Sequence, residues 1–142
     1  MMPKSRYADY RAAEPYFDLV RNALGEQVDG DHFFDVVSED VLYEVLYDFP
    51  GWPRILRGRD ALMAQFRGYG DNIELRSADK LIVHKADEGR VCVIEYEVHG
   101  TMLRTGSKYD NRFCSIIEIQ DRKIVHWRDY MDSLAAWNAL TG

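Results

Sequence analysis

Four strand-like segments, separated only by tight turns, fill the second half of this chain and limit what it can fold into. They run roughly from Ile73 to His84, Val91 to His99, Ser107 to Ile119 and Lys123 to Met131. Asp87–Glu88–Gly89 links the first pair, and a longer turn containing Gly100 and Gly106 links the second. Gln120–Asp121–Arg122 links the third. Connections this short join antiparallel neighbours, because a parallel partner requires a crossover of a dozen or more residues. An antiparallel meander is therefore predicted.

The first half reads differently. Tyr16, Phe17, Val20 and Leu24 recur at helical spacing, which predicts a helix from about Glu14 to Leu24. Pro15 suits its first turn, and Gly25 stops it. Asp29–Gly30–Asp31 reads as a turn ending in an N-cap, followed by a short helix with Phe33, Phe34 and Val37 inward. A strand is predicted over Val41–Tyr47, with Val41, Tyr43, Val45 and Tyr47 on one side. Pro50–Gly51–Trp52–Pro53 breaks the chain. Gly58–Arg59–Asp60 then opens a third helix bearing Leu62, Phe66 and Tyr69. Asp132 or Ser133 caps a last helix that carries Leu134 and Trp137.

The predicted order is α-α-β-α-β-β-β-β-α. It implies an α+β fold, a curved antiparallel sheet wrapped on N-terminal helices. Such a sheet makes a cone with an internal pocket. Residues 1–142 are expected to form a single domain, with polar residues 1–11 as a flexible arm.

Composition narrows the function classes. The 142 residues are 46% hydrophobic and 30% charged, which is globular rather than disordered. The net charge of −6 disfavours sequence-independent binding to nucleic acid or an anionic membrane. No apolar run approaches the roughly 18 residues of a membrane helix, and Met1–Arg6 does not lead into a signal-peptide core. Cys92 and Cys114 lack zinc or disulfide-framework spacing. Both are expected reduced and buried, in a cytoplasmic protein.

Asp129 is the residue that points to chemistry. On a strand, Val125, Trp127, Asp129 and Met131 share one face, and His126, Arg128 and Tyr130 share the other. A carboxylate among large apolar groups is costly to ionise, so its pKa rises. That tuning suits general acid–base catalysis. A structural acid that pairs with a buried Arg or caps the last helix is the alternative. Tyr96 falls in line with Cys92, Ile94 and Val98, where its hydroxyl needs a partner. It could donate to a substrate oxygen or to Asp129, or be a satisfied core tyrosine. Asn111 shares a face with Phe113, Ser115 and Ile117, and reads either as a polar contact to a ligand or as a tie for backbone at a strand end. Tyr43, Val45, Tyr47, Val98, Phe113 and Trp127 are candidate pocket-wall residues. Trp52 reads as a lid over the mouth or a surface anchor.

The segments Tyr109–Cys114, Lys123–Asp132, Val41–Glu44 and Gly58–Ala61 resemble the SnoaL-like polyketide cyclase family, within the nuclear-transport-factor-2-like superfamily of α+β cones. The resemblance spans roughly residues 14–137. It implies an Asp on the last strand acting as acid–base, matched by Asp129, and an inner sheet face that holds Asn111. It also implies pairing of two copies through the outer sheet face. The C-terminal run is similar to limonene-1,2-epoxide hydrolase too, whose catalytic Asp matches Asp129 and whose first-strand Tyr matches Tyr43. Its Asn, Arg and second Asp fall at Val45, Tyr96 and Val98, so hydrolysis by that route is not expected. Ketosteroid isomerase, a further relative, places its base near Val45 or Glu44. Val45 cannot take a proton, and Glu44 faces away from Tyr43.

His84, His99 and His126 lack the spacing of a metal set, no Gly-rich phosphate loop lies between a strand and a helix, and no Ser sits in an elbow motif. No metal and no cofactor are expected. Arg112, Cys114 and Ile116 beside His126, Arg128 and Tyr130 make an outer face suited to a homodimer. The function expected is cofactor-free acid–base chemistry of cyclase, isomerase or dehydratase type on a small apolar molecule. Asp129 would move the proton, and Tyr96 and Asn111 would donate to the oxyanion. The alternative is a non-catalytic binding or assembly module of the same fold.

Overall fold

The computed structural model describes residues 3–142, with side chains described from Tyr7 onward. A 3-10 segment, Pro3–Ala13, leads into α1 (Glu14–Leu24). Then follow α2 (Phe33–Val36), β1 (Val37–Val45), β2 (Ile55–Arg57) and α3 (Arg59–Arg67). The meander is β3 (Ile73–Ala86), β4 (Val91–Met102), β5 (Lys108–Gln120) and β6 (Lys123–Met131), closed by α4 (Ser133–Thr141). The mixed α+β fold has helices packed on one side of a six-stranded, open, curved sheet ordered β2-β1-β6-β5-β4-β3.

The meander pairs antiparallel throughout, as the short turns require. One pair in the sheet differs: β1 lies parallel to β6, with Tyr43 opposite Trp127 and Val45 opposite Asp129. Tight turns dictate direction only between strands they join. Strand β1 meets β6 after the whole meander has crossed the sheet and returned, so no turn constrains that pair. Strand β2 is a three-residue edge strand, too short for alternation to reveal.

The core is aromatic. Phe17 stacks on Phe33 at 5.1 Å, Phe33 meets Trp127 edge-on at 5.7 Å, and Trp127 stacks on Tyr43 at 5.7 Å. These contacts tie α1 and α2 to the β1–β6 pair. The expected frayed arm is instead part of this core from Tyr7 on. Tyr7 and Tyr10 are buried. Tyr7 stacks on His32, and Tyr10 meets Phe34 edge-on. Charged neighbours hide these two anchors in the sequence. The cap of α2 is His32 rather than Asp31: its ring nitrogen accepts from the Phe34 N–H at 3.1 Å, and Asp35 reciprocates on the His32 N–H. Val37 begins β1 instead of ending that helix.

The inner sheet face carries Cys92, Ile94, Tyr96 and Val98 from β4, Asn111, Ser115 and Ile117 from β5, and Trp127 and Asp129 from β6, all buried. Val125 departs from this pattern. The register slips between Glu118 and Ile119, so Ile124 turns inward and Val125 does not. That is the effect of a one-residue bulge. Gly100 lies inside β4, not in the following turn. It pairs with Leu75 beside a register shift in β3. A Cβ there would collide with the Glu74 carbonyl and come within 2.9 Å of the Leu75 Cα. Both obstacles are backbone, so the strands must part to admit a methyl group. Gly100→Ala is expected to lower stability by about 2–4 kcal/mol, read from urea unfolding. A loss under about 0.5 kcal/mol would show that β3 and β4 are not held this close.

Among the described residues, no helix is long and apolar enough to cross a membrane. Both cysteines are free; Cys92 is buried, and Cys114 is half-buried on the outer face.

Candidate active site

Asp129 sits between two strands that fix it from both sides. Val45 flanks it on β1, and Ser115 flanks it on β5. Backbone pairing continues past Val45, where the Leu46 N–H donates to the Asp129 carbonyl at 2.9 Å. The side chain is 4% exposed. The Ser115 hydroxyl donates to its Oδ1 at 2.7 Å, and the Trp127 indole N–H donates to the same oxygen at 3.0 Å. No cation pairs with it among the described residues. Burial raises its pKa to about 6, and the two neutral donors oppose only part of that rise. Ser115 in turn meets the Tyr96 hydroxyl at 3.0 Å, and the Tyr96 ring stacks on Phe113 at 5.3 Å. The result is a buried line, Tyr96–Ser115–Asp129–Trp127.

Asp129 opens onto a cavity of about 470 Å³ between the inner sheet face and helices α1, α3 and α4. Of the residues read from the sequence, Tyr43, Tyr47, Trp52, Val98, Phe113 and Asp129 line it. Four others do not. Val45 and Trp127 are packed beside Asp129, behind the wall. Tyr96 reaches Asp129 only through Ser115. Asn111 is turned away from a ligand role: its amide donates to the Tyr109 hydroxyl at 2.8 Å and to the Met131 sulfur at 3.4 Å. Its oxygen accepts from the Arg112 backbone at 2.8 Å. All its groups are thus engaged by protein. Tyr109, two residues earlier on the same face, occupies the wall instead.

The sequence reading missed Tyr16, Tyr69, Tyr109 and Arg104, which also line the cavity. Tyr16 gave a faint signal. A Tyr within a helix's core stripe must place a hydroxyl somewhere. Here Tyr43 and Tyr96 both act on that hydroxyl, yet no partner meets it in hydrogen-bond geometry. The buried Trp52 indole N–H is likewise unpartnered. Leaving such a donor unmet costs about 1–3 kcal/mol, so both sites favour a ligand that brings acceptors.

With this geometry in place, the chain can be set beside known proteins. Residues 16–127 match the SnoaL-like domain. The chain belongs to that family. A curated relative is YesE of Bacillus subtilis, uncharacterised, 28% identical over 105 residues, covering 74% of this chain and 71% of YesE. Among solved structures, a Bacillus subtilis protein provisionally designated an isomerase superposes with a TM-score of 0.74 at 22% identity. It covers 99% of this chain and 97% of its own. A provisionally designated polyketide cyclase of Pseudomonas putida gives 0.67 at 18% identity, covering 99% and 98%. At such identities these structures show the fold alone, which is that of NTF2-like proteins.

The cavity of this SnoaL-like domain is rich in tyrosine. Five tyrosines face it: Tyr16, Tyr43, Tyr47, Tyr69 and Tyr109. Burial raises the pKa of every one, that of Tyr109 to about 12, so each stays protonated and can donate. Asp129 and Arg104 are the only charged side chains on the wall among the described residues. Among the described residues, the one cluster with metal-ligand character, Asp79, Glu97 and His99, lies elsewhere, on the outer sheet face. There His99 bonds Asp79 at 2.8 Å and Asp110 at 2.7 Å, and the two carboxylates raise its pKa. That is the geometry of a protonated imidazole between acids.

The raised pKa of Asp129 carries a stability consequence. The folded state holds this proton more tightly than the unfolded chain does. Its contribution is therefore full below about pH 4 and is lost as pH rises through about 6. The complete loss amounts to about 3 kcal/mol. Asn cannot ionise, so the stability of Asp129→Asn relative to wild type should rise by up to about 3 kcal/mol between pH 4 and 7.5, read from urea unfolding. A difference that stays flat with pH would mean that Asp129 titrates like a surface acid.

Proposed function

We propose that this SnoaL-like domain binds a small, largely apolar organic molecule in its cavity and moves a proton on it without a cofactor, with Asp129 as the acid–base group. The observation that carries this reading is a lone carboxyl in an aromatic wall, its pKa raised to about 6. Such a group is available both as base and as acid near neutral pH. In the reaction, the Asp129 carboxylate takes a proton from carbon next to a carbonyl. The carbonyl oxygen gains negative charge and accepts from a tyrosine hydroxyl. Tyr16 is the donor best suited to this, since its hydroxyl is unpartnered and feels the charge of Asp129. A donor preset in a dry site is worth a few kcal/mol in the transition state. Protonated Asp129 then returns the proton to another carbon or to a leaving oxygen.

Ser115 and Tyr96 act as positioning residues. Ser115 fixes the carboxyl's rotamer and helps its charged form, and Tyr96 holds the Ser115 hydroxyl. Asn111 positions the Tyr109 ring. Isomerisation, cyclisation and dehydration share this proton-transfer core, and the designations of the solved neighbours fall in the first two classes. In the resemblance to limonene-1,2-epoxide hydrolase, Tyr43 keeps the water-holding Tyr, but the Asn falls at Val45 and the Arg and second Asp fall at Tyr96 and Val98, which speaks against that hydrolysis.

The test is deuterium exchange from heavy water into β-tetralone, a ring ketone with acidic α-protons. Protein-dependent exchange should rise with pH through about 6, as the base form appears. Asp129→Asn should cut it at least about 100-fold, and Tyr16→Phe about 10- to 100-fold. Ser115→Ala should move the pH midpoint upward, because the charged form loses a donor. Exchange that persists in folded Asp129→Asn would remove Asp129 as the base. No protein-dependent exchange at all would favour a binding module.

We further infer that two copies pair through the outer sheet face. Tyr130 stands 42% exposed there, beside half-buried Ile116 and Cys114. Tyr130→Glu should shift the sedimentation-equilibrium mass toward that of one chain. An unchanged mass would place the interface elsewhere or show none.

A further inference from the structure

The cavity's outer end differs chemically from its inner end. Strands β1, β4 and β6 all finish at the same edge, at Val45, Met102 and Met131, and β3 and β5 begin there. The loop that carries Trp52 and the β4–β5 turn that carries Arg104 therefore flank one opening. That turn is clamped. The Leu103 N–H donates to the Asn72 carbonyl at 2.8 Å, and the Thr105 hydroxyl donates to the Ala139 carbonyl of α4 at 2.9 Å.

The clamp holds the backbone on both sides of Arg104 and leaves its side chain uncommitted. Among the described residues, Arg104 makes no hydrogen bond and no ion pair. Two acids of neighbouring segments are engaged elsewhere: Asp48 by Arg54 at 2.8 Å, and Asp132 by Arg112 and by the first turn of α4. In a chain of net charge −6, Arg104 is the one cation, among the described residues, on the wall of a largely aromatic cavity whose other charged group is Asp129. A guanidinium is a forked donor matched to a carboxylate. Trp52, whose buried indole N–H has no partner, lines the same opening as an aromatic wall for the body of the ligand.

We propose that the ligand is an organic acid, an apolar body with a carbonyl at its inner end, beside Asp129 and Tyr16, and a carboxylate at its outer end, held by Arg104. The inner half of this assignment rests on the acid–base reading above; the outer half stands on Arg104 alone. Arg104 then sets specificity and orientation. A ligand anchored at the mouth presents its carbonyl, not its acid, to the catalytic carboxyl. The reversed orientation would set two carboxylates against each other in a dry site, which is strongly disfavoured.

The test compares para-acetylcinnamate with its methyl ester, which share a body and differ in the charge at one end. Binding is followed by quenching of tryptophan emission or by calorimetry. Wild type should favour the acid by about fivefold or more at low salt, with the preference shrinking as salt rises. Arg104→Gln should bring the ratio to about one and leave the ester's affinity unchanged. Trp52→Phe should weaken both probes alike. Equal affinities in wild type, a preference for the ester, binding of neither probe, or a ratio that survives Arg104→Gln would overturn the proposal. Asp129→Asn separates this result from the acid–base reading. It should abolish exchange chemistry and leave the acid-to-ester ratio in favour of the acid. A folded Asp129→Asn that keeps exchange, alongside an intact ratio, would sink the acid–base reading and spare the anion site.

Discussion

A carboxyl group held in the sheet by two neutral donors is the constraint on which the rest of this structure turns. Asp129 receives one hydrogen bond from Ser115 and one from Trp127, both on the same oxygen. A guanidinium in their place would hold its pKa low and make the acid a structural ion. Two neutral donors stabilise the carboxylate without neutralising it. Burial then wins, and the group titrates near 6. The second oxygen has no hydrogen-bond partner among the described residues, and the residue lines the cavity.

That arrangement requires two strands that no turn joins. Strand β5 brings Ser115 from one side, by a hairpin legible in the sequence. Strand β1 seals the other side, in parallel with β6, so that Val45 lies beside Asp129 and Tyr43 stacks on Trp127. The aromatic chain from Phe17 through Phe33 to Trp127 locks the helices against that pair. Packing near Trp127 therefore also sets the indole N–H that Asp129 accepts. Stability and chemistry share one side chain here, so a cavity-forming change at Trp127 would alter both.

The legible parts of this fold are those with a strict period. Alternation put Tyr96 and Val98, Ser115 and Asn111, and Trp127 and Asp129 on one face, and the structure keeps all six buried. Periodicity failed where one residue was inserted, as at the bulge that turns Val125 out. It also failed where the pattern is too short, as in β2, or masked by charge, as in the segment that carries Tyr7 and Tyr10. Facing inward is likewise not the same as facing the cavity. Asn111 and Tyr96 point inward and are consumed by Tyr109 and Ser115. Turn residues have no period at all, so nothing in the chain announced Arg104 as part of the wall.

The cavity wall divides into two electrostatic zones, and the division bears on which molecules react. Around Asp129, desolvation raises the pKa of the acid and of Tyr16 and Tyr43, so these donors stay protonated while Asp129 exchanges its proton. This zone strongly disfavours a second negative charge until one develops on a carbonyl oxygen. At the outer end, Arg104 stands in solvent, where a charge costs little to bind and is held only weakly. An anion there lends its binding energy to orientation rather than to chemistry. Rejection of ground-state charge near Asp129 and tolerance of it at the lip together select one alignment of an asymmetric ligand. The selection follows from where water reaches the wall, and it needs no moving part.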